Sequence, residues 1–165
     1  MNQLTTMGWL HLAFAAFGLV AGAVQFTRRK GDRVHRALGY AYVYGMIISN
    51  ATALMLYRFT GTFNVFHAGA IVNFICIIAA MIPVLRTPRA PDWLTQHYRW
   101  MSSSYVGLAA AAATEFAVRV LPLGGRGAVW MVAGVATLAI SVVGAVLIRR
   151  NRPAGAPETE GATTR

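Results

Sequence analysis

The stretch Gln96-His97-Tyr98-Arg99-Trp100-Met101 stands where a polar, proline-containing loop enters a long apolar run. Read with the small and apolar residues that follow it to Leu121, it describes a helix entering a bilayer. Cationic and aromatic side chains collect where hydrocarbon gives way to headgroups. The other histidines repeat the pattern: the chain has four, His11, His35, His67 and His97, each near one end of a different hydrophobic segment.

Composition agrees with a membrane reading. Of 165 residues, 56% are apolar and 12% charged, and the mean hydropathy is +0.51, well above that of an ordinary soluble domain. A formal charge of +10 would suit a nucleic-acid partner if it lined a soluble face. Here Lys and Arg instead cluster at the ends of apolar runs, so the expected partner is the lipid bilayer and no nucleic acid is expected. Cys76 is the only cysteine, which excludes an intramolecular disulfide and a Cys-based metal site. The start, MNQLTT, has no basic residue ahead of the first apolar run, and the cationic flank follows that run. Despite the cleavage-like Ala21-Gly22-Ala23, this order predicts a retained helix and not a secretory signal.

Five segments are long enough to cross about 30 Å of hydrocarbon at about 1.5 Å per residue. They run from Met7 to Phe26, Val34 to Tyr57, Val65 to Leu85, Tyr98 to Leu121 and Ala128 to Ile148. Gly18 and Gly22 in the first form a small-xxx-small pair that lets a neighbouring helix come close. In the second, His35, Gly39, Tyr42, Met46 and Ser49 recur at helical spacing and share a face, while Ser49, Asn50 and Thr52 need polar partners. Pro83 is expected to begin breaking the third segment. The loop from Arg86 to Gln96, with Pro88, Pro91 and Trp93, reads as an ordered interfacial connection. The expected fold is an all-α membrane protein, a four-helix transmembrane bundle plus a fifth peripheral transmembrane helix. Residues 1–150 form the five-helix transmembrane domain, with a possible oligomer contact through helix 128–148, and 151–165 a disordered cytoplasmic tail.

Orientation follows from charge. Arg28, Arg29, Lys30, Arg33, Arg36, Arg86, Arg89, Arg99, Arg149, Arg150, Arg152 and Arg165 fall on one side, against Arg58, Arg119 and Arg126 on the other. The expected location is the bacterial inner (cytoplasmic) membrane, multi-pass, with the N-terminus outside and the C-terminus cytoplasmic.

That topology sorts the histidines into an outer pair, His11 and His67, and an inner pair, His35 and His97. In an up-down-up-down bundle each pair comes from diagonal helices and can face across the axis, as bis-imidazole ligation of haem iron requires. Haem b is the cofactor this implies. Arg33, Arg36 and Arg99 lie beside the inner pair, where they could hold propionates, and Tyr40, Tyr42, Tyr44, Trp100 and Tyr105 could flank a ring. The same arginines also serve as a topology signal, and the same aromatics as an interfacial belt. Depth sets a constraint: the outer pair is expected level with Ala53 or Leu54, about 28 Å from His35, which is long for two haems.

The outer side offers a rival. Glu115 is the only acid inside a spanning segment, and an intramembrane carboxylate is costly. With His11 and His67 it would make a two-histidine, one-carboxylate site for zinc or another divalent metal, or a site for quinone. Arg119 at i+4 offers the simpler account, a helical ion pair.

The chain resembles a family of small bacterial predicted membrane proteins of unknown function. The likeness runs over about residues 8–122 and is carried by His11, by His35-Arg36-Ala37-Leu38-Gly39 with Tyr42-Val43, and by His97 with Arg99-Trp100-Met101 and Ser104-Tyr105. Arg119-Val120-Leu121-Pro122 closes it, and His67 is not part of the family's usual pattern. In arrangement alone the chain is also similar to transmembrane di-haem cytochromes b of the quinone- or ascorbate-linked type. Three functional readings stand at this point: a haem protein carrying electrons across or within the bilayer, possibly to or from quinone; a metal- or quinone-binding membrane enzyme; and a non-catalytic subunit or assembly partner of a larger membrane complex.

Overall fold

The computed structural model describes residues 5–56, 61–122 and 124–153, and the expected tail beyond Pro153 lies outside them. Five helices follow in order: α1 Thr6–Thr27, α2 Arg33–Leu54, α3 Val65–Leu85, α4 Trp93–Val120 and α5 Arg126–Arg150. Each of the first three starts where a polar side chain satisfies a free backbone N–H, as an N-cap should. Thr5 Oγ1 accepts from Gly8 N–H at 3.2 Å, Asp32 from His35 N–H at 2.6 Å, and Asn64 from Phe66 N–H at 2.9 Å.

The expected boundaries shift most at the end of α2, which closes at Leu54, and at the start of α4. Helix α4 begins at Trp93, five residues before Tyr98, so the hexapeptide that opens the sequence reading already lies in its first turns. Arg89 stacks its guanidinium 4.6 Å from the centre of the Trp93 ring at that start. Pro83 lies inside α3, which runs to Leu85 as expected. A proline this close to a helix end removes one donor from the ladder and interrupts little else.

Helix α1 packs along α2, α3 along α4, and α4 along α5; α2 with α3 and α1 with α4 meet over smaller areas. No close backbone approach joins α1 to α3 or α2 to α4 among the described residues; α5 approaches α4 along its backbone and touches α3 through Trp130, whose ring centre lies 6.4 Å from that of Phe66. Hydrogen bonds set the directions. His11 near the start of α1 reaches Ser49 near the end of α2, while Gln25 near the end of α1 reaches His35 near the start of α2, so the two run antiparallel. The bonds of His97 to Ala80 and of Asn73 to Ser104 make α3 and α4 antiparallel in the same way.

Among the described residues, three helices are long and apolar enough to cross a membrane: α1, α3 and α5. Helices α2 and α4 are as long or longer but carry more polar residues, and the structure shows where these go. Ser49, Asn50, Thr52, Ser102, Ser104 and Thr114 are all buried. The apolar core beside them is built from Ala21, Tyr42, Val43, Met46, Ile77 and Leu108. Gly18 and Gly22 do what their spacing predicts. A Cβ on Gly18 would lie 2.6 Å from Met46 Sδ, and one on Gly22 only 2.2 Å from the Tyr105 ring, so both α2 and α4 use α1's missing side chains.

One polar chain crosses this core. Tyr42 Oη lies 3.0 Å from Ser104 Oγ, Ser104 Oγ donates to Asn73 Oδ1 at 3.2 Å, and Asn50 Nδ2 donates to the same oxygen at 3.1 Å. Asn73 Nδ2 in turn donates to the Ser104 carbonyl at 2.8 Å. Three helices are thereby tied through one asparagine, whose amide oxygen takes two bonds. In hydrocarbon each of these groups would otherwise be left unsatisfied, at a cost of several kcal/mol.

Candidate functional site

Histidine rings become informative once the proton on each is located, and a backbone carbonyl can only accept. His97, one turn into α4, places Nδ1 3.0 Å from the carbonyl of Ala80 on α3, so Nδ1 carries the proton and Nε2 keeps its lone pair. His35, at the start of α2, is set by Gln25 from α1. The Gln25 amide nitrogen donates to the His35 carbonyl at 2.8 Å, which turns its oxygen toward His35 Nδ1 at 3.1 Å. That oxygen accepts, so His35 is again protonated at Nδ1. Gly39, one turn on, leaves room for the glutamine: a Cβ there would lie 3.2 Å from Gln25 Nε2.

The two rings come from helices with no close backbone approach among the described residues. In each of the two, the imidazole is fixed by an Nδ1–H to a carbonyl oxygen. A ring held this way presents its Nε2 in one fixed direction. Leu38, Met81, Met101 and Tyr105, partly buried, pack on the core at this end.

The outer pair does not share this design. His11 resembles the inner histidines, with Nδ1 2.9 Å from the Ser49 carbonyl. His67 is 1% exposed, and its Nδ1 accepts from the backbone N–H of Asn64 at 3.2 Å to complete a capping box. The neutral ring therefore carries its proton on Nε2, the nitrogen an iron or zinc would need. The predicted depth is also corrected. His11 is level with Ser49, not with Ala53 or Leu54, which puts it about 21 Å along α2 from His35.

The expected metal site of His11, His67 and Glu115 is not formed. Among the described residues no three His, Cys, Asp or Glu side chains come together in a way that could hold a metal. Glu115 is bound instead by Arg119 at 2.6 Å, with 47% of its side chain exposed, because their i,i+4 spacing on an outward face favours the local pair over a distant one.

Arg99 is corrected too. Two residues beyond His97 is about 200° around a helix, and Arg99 accordingly lines a cleft between α4 and α5 instead of the histidine end. Arg36 is exposed at the start of α2, one residue from His35. Of the aromatics expected to flank a ring, Tyr40, Tyr44 and Trp100 face outward. Tyr42 is buried, and Tyr105 reaches α1, donating to the Leu19 carbonyl at 3.3 Å and packing 5.1 Å from Phe26 between ring centres.

Sequence reading missed Gln25 and the two accepting carbonyls. Gln25 had a signal: it is an amide at the end of an otherwise apolar run, where a polar side chain must find a partner. The carbonyls of Ser49 and Ala80 had none, since every residue has one.

Long apolar helices with outward hydrocarbon faces and inward polar ones define an all-α integral membrane protein. The chain belongs to the family given as Predicted membrane protein (DUF2306), whose model matches residues 8–150. No curated protein and no solved structure matches it.

Proposed function

We propose that the chain is a multi-pass protein of the bacterial cytoplasmic membrane that binds one haem b between His35 and His97. The first four helices form a membrane-spanning bundle and α5 spans beside it. The observation that supports this reading is the matched state of the two imidazoles, on α2 and α4, both protonated at Nδ1 and both held by a carbonyl oxygen. Haem iron with two histidine ligands needs two such Nε2 lone pairs from opposite faces. Bound there, haem b would supply a one-electron carrier, with a membrane quinone as the expected class of exchange partner. Gln25 and the Ala80 carbonyl hold the rings in orientation, and Arg36, with Arg33, is the cation set for propionates at the interface. The proton on His67 Nε2 argues for one haem, not two.

The test is a reduced-minus-oxidised visible spectrum of the detergent-purified protein, with haem counted per chain. The expected result is a Soret band with sharp alpha and beta bands near one haem per polypeptide, lost in His35→Ala and His97→Ala and kept in His67→Ala. A colourless preparation would overturn the reading. A second reading has its own observation: the bonds of His97 to α3 and of His11 to α2 pin neighbouring helices together. On that account the histidines are structural clamps in a non-catalytic subunit or assembly partner. His97→Ala would then lower stability in a protein that never held pigment.

A further inference from the structure

On the opposite face of α4 from His97, an open cleft of about 510 Å³ runs between α4 and α5, lined by Arg99 and Ser103 of α4, by Ala145, Ile148 and Arg149 of α5, and by Arg152 just beyond it. Three arginines line this space and, among the described residues, no carboxylate does. The chain's acids that fall among the described residues are engaged elsewhere: Asp32 with Arg28, Glu115 with Arg119, and Asp92 with Gln96. Like charges brought together beside apolar helices repel unless an anion joins them.

The cleft is built on a fixed floor. A Cβ on Gly144 would lie 2.5 Å from Val106, so the two helices are in close contact next to the cleft. Tyr98 Oη donates to the Ile148 carbonyl at 3.4 Å and ties the helices again at its edge. The floor residues Ala145 and Ile148 are apolar, and the neighbouring Val146 and Leu147 are exposed. A ligand here would meet cations at one end and a hydrocarbon-facing surface at the other.

We propose that this cleft binds the phosphate of an anionic phospholipid, with Arg99, Arg149 and Arg152 around the phosphate, Ser103 donating to it, and the acyl chains lying along α5. The position fits, since a basic pocket between helices at the membrane interface is suited to anionic headgroups, and guanidinium matches phosphate bidentately. A free phosphate would satisfy the arginines equally well. The apolar continuation of the cleft favours the lipid. The site does not depend on haem.

The experiment is native mass spectrometry of the full-length protein from detergent, titrated with phosphatidylglycerol and, separately, phosphatidylcholine. Wild type should retain phosphatidylglycerol selectively. Arg152→Gln, which lies outside α5 and spares its fold, should weaken retention about fivefold, and the triple variant R99Q/R149Q/R152Q on the order of a hundredfold, at about one such step per arginine. The control R28Q/R29Q/K30Q removes the same charge from the loop between α1 and α2 and should bind as wild type does. Equal retention of the two lipids, a control that loses as much as the triple variant, or an Arg152→Gln protein that binds unchanged would each overturn the proposal. Displacement of the bound lipid by inorganic phosphate at equimolar amounts would assign the cleft to a free anion and overturn it as well.

Discussion

His67 and His97 open neighbouring helices with the same side chain and opposite placement of the ring proton, and one bond in each case decides it. A backbone N–H donates to His67, whereas a backbone carbonyl accepts from His97. Loss of the His67 ring should therefore cost the cap, about 1 kcal/mol, and the cavity left by a fully buried side chain, together on the order of 2–5 kcal/mol, measured by unfolding in detergent, without touching any pigment. The polar chain through Asn73 predicts a graded series. Tyr42→Phe removes one bond and should cost about 0.6 kcal/mol, as interhelical hydrogen bonds in membranes do. Asn73→Ala leaves Asn50 and Ser104 unsatisfied and should cost about 1–3 kcal/mol. Asp32 adds a pH dependence. The His35 N–H that it accepts holds its carboxyl below the usual range, with Arg28 adding to the effect. A lowered folded value means stabilisation present above the unfolded carboxylate value of about 3.9 and lost as pH falls through the folded one. Asp32→Asn should flatten that acid limb in a series of thermal melts, and an unchanged limb would show that another carboxylate governs it. Residue types at these places were legible in the sequence: four histidines, one intramembrane acid and a cluster of small polar groups. Which nitrogen carries the proton was not, because it is set by backbone atoms that every residue shares.

At the scale of elements, apolar run length located all five helices, and Val65–Leu85 matched the expected span residue for residue. The start of α4 was displaced because Trp93 to Gln96 are polar enough to read as loop and are nonetheless wound into the helix. The Gly18 and Gly22 pair was legible as a packing motif, and its partners, Met46 and Tyr105, needed coordinates. Gly22→Ala should be the harsher of the two replacements, since the new methyl meets an aromatic ring instead of the end of a flexible side chain. The expected loss is about 1–3 kcal/mol from overpacking, readable as a lower midpoint in thermal melts monitored by circular dichroism. Equal tolerance of Gly18→Ala and Gly22→Ala would mean that α4 can move away from α1. Arg99 shows the limit of spacing arguments: nearness in sequence to His97 suggested a shared site, and helical rotation put the two on different faces.

For the molecule as a whole, twelve of its fifteen Lys and Arg residues fall on one side of the proposed topology. In a Cys76→Ser background, Arg29→Cys and Thr62→Cys should label with a membrane-impermeant maleimide from opposite faces of the membrane, with Thr62→Cys reached from outside. Labelling of both from one face would overturn the topology. The buried polar faces of α2 and α4 bear also on biosynthesis. Neither helix is apolar enough to count as a membrane span alone, and each packs most extensively, among the first four, with an apolar neighbour in sequence, α1 for α2 and α3 for α4. The expected unit of membrane insertion is therefore the hairpin, each marginal helix entering with a neighbour that partitions into lipid readily. Separating α2 from α1 with a long hydrophilic spacer should leave α2 stranded outside the bilayer although its own sequence is intact.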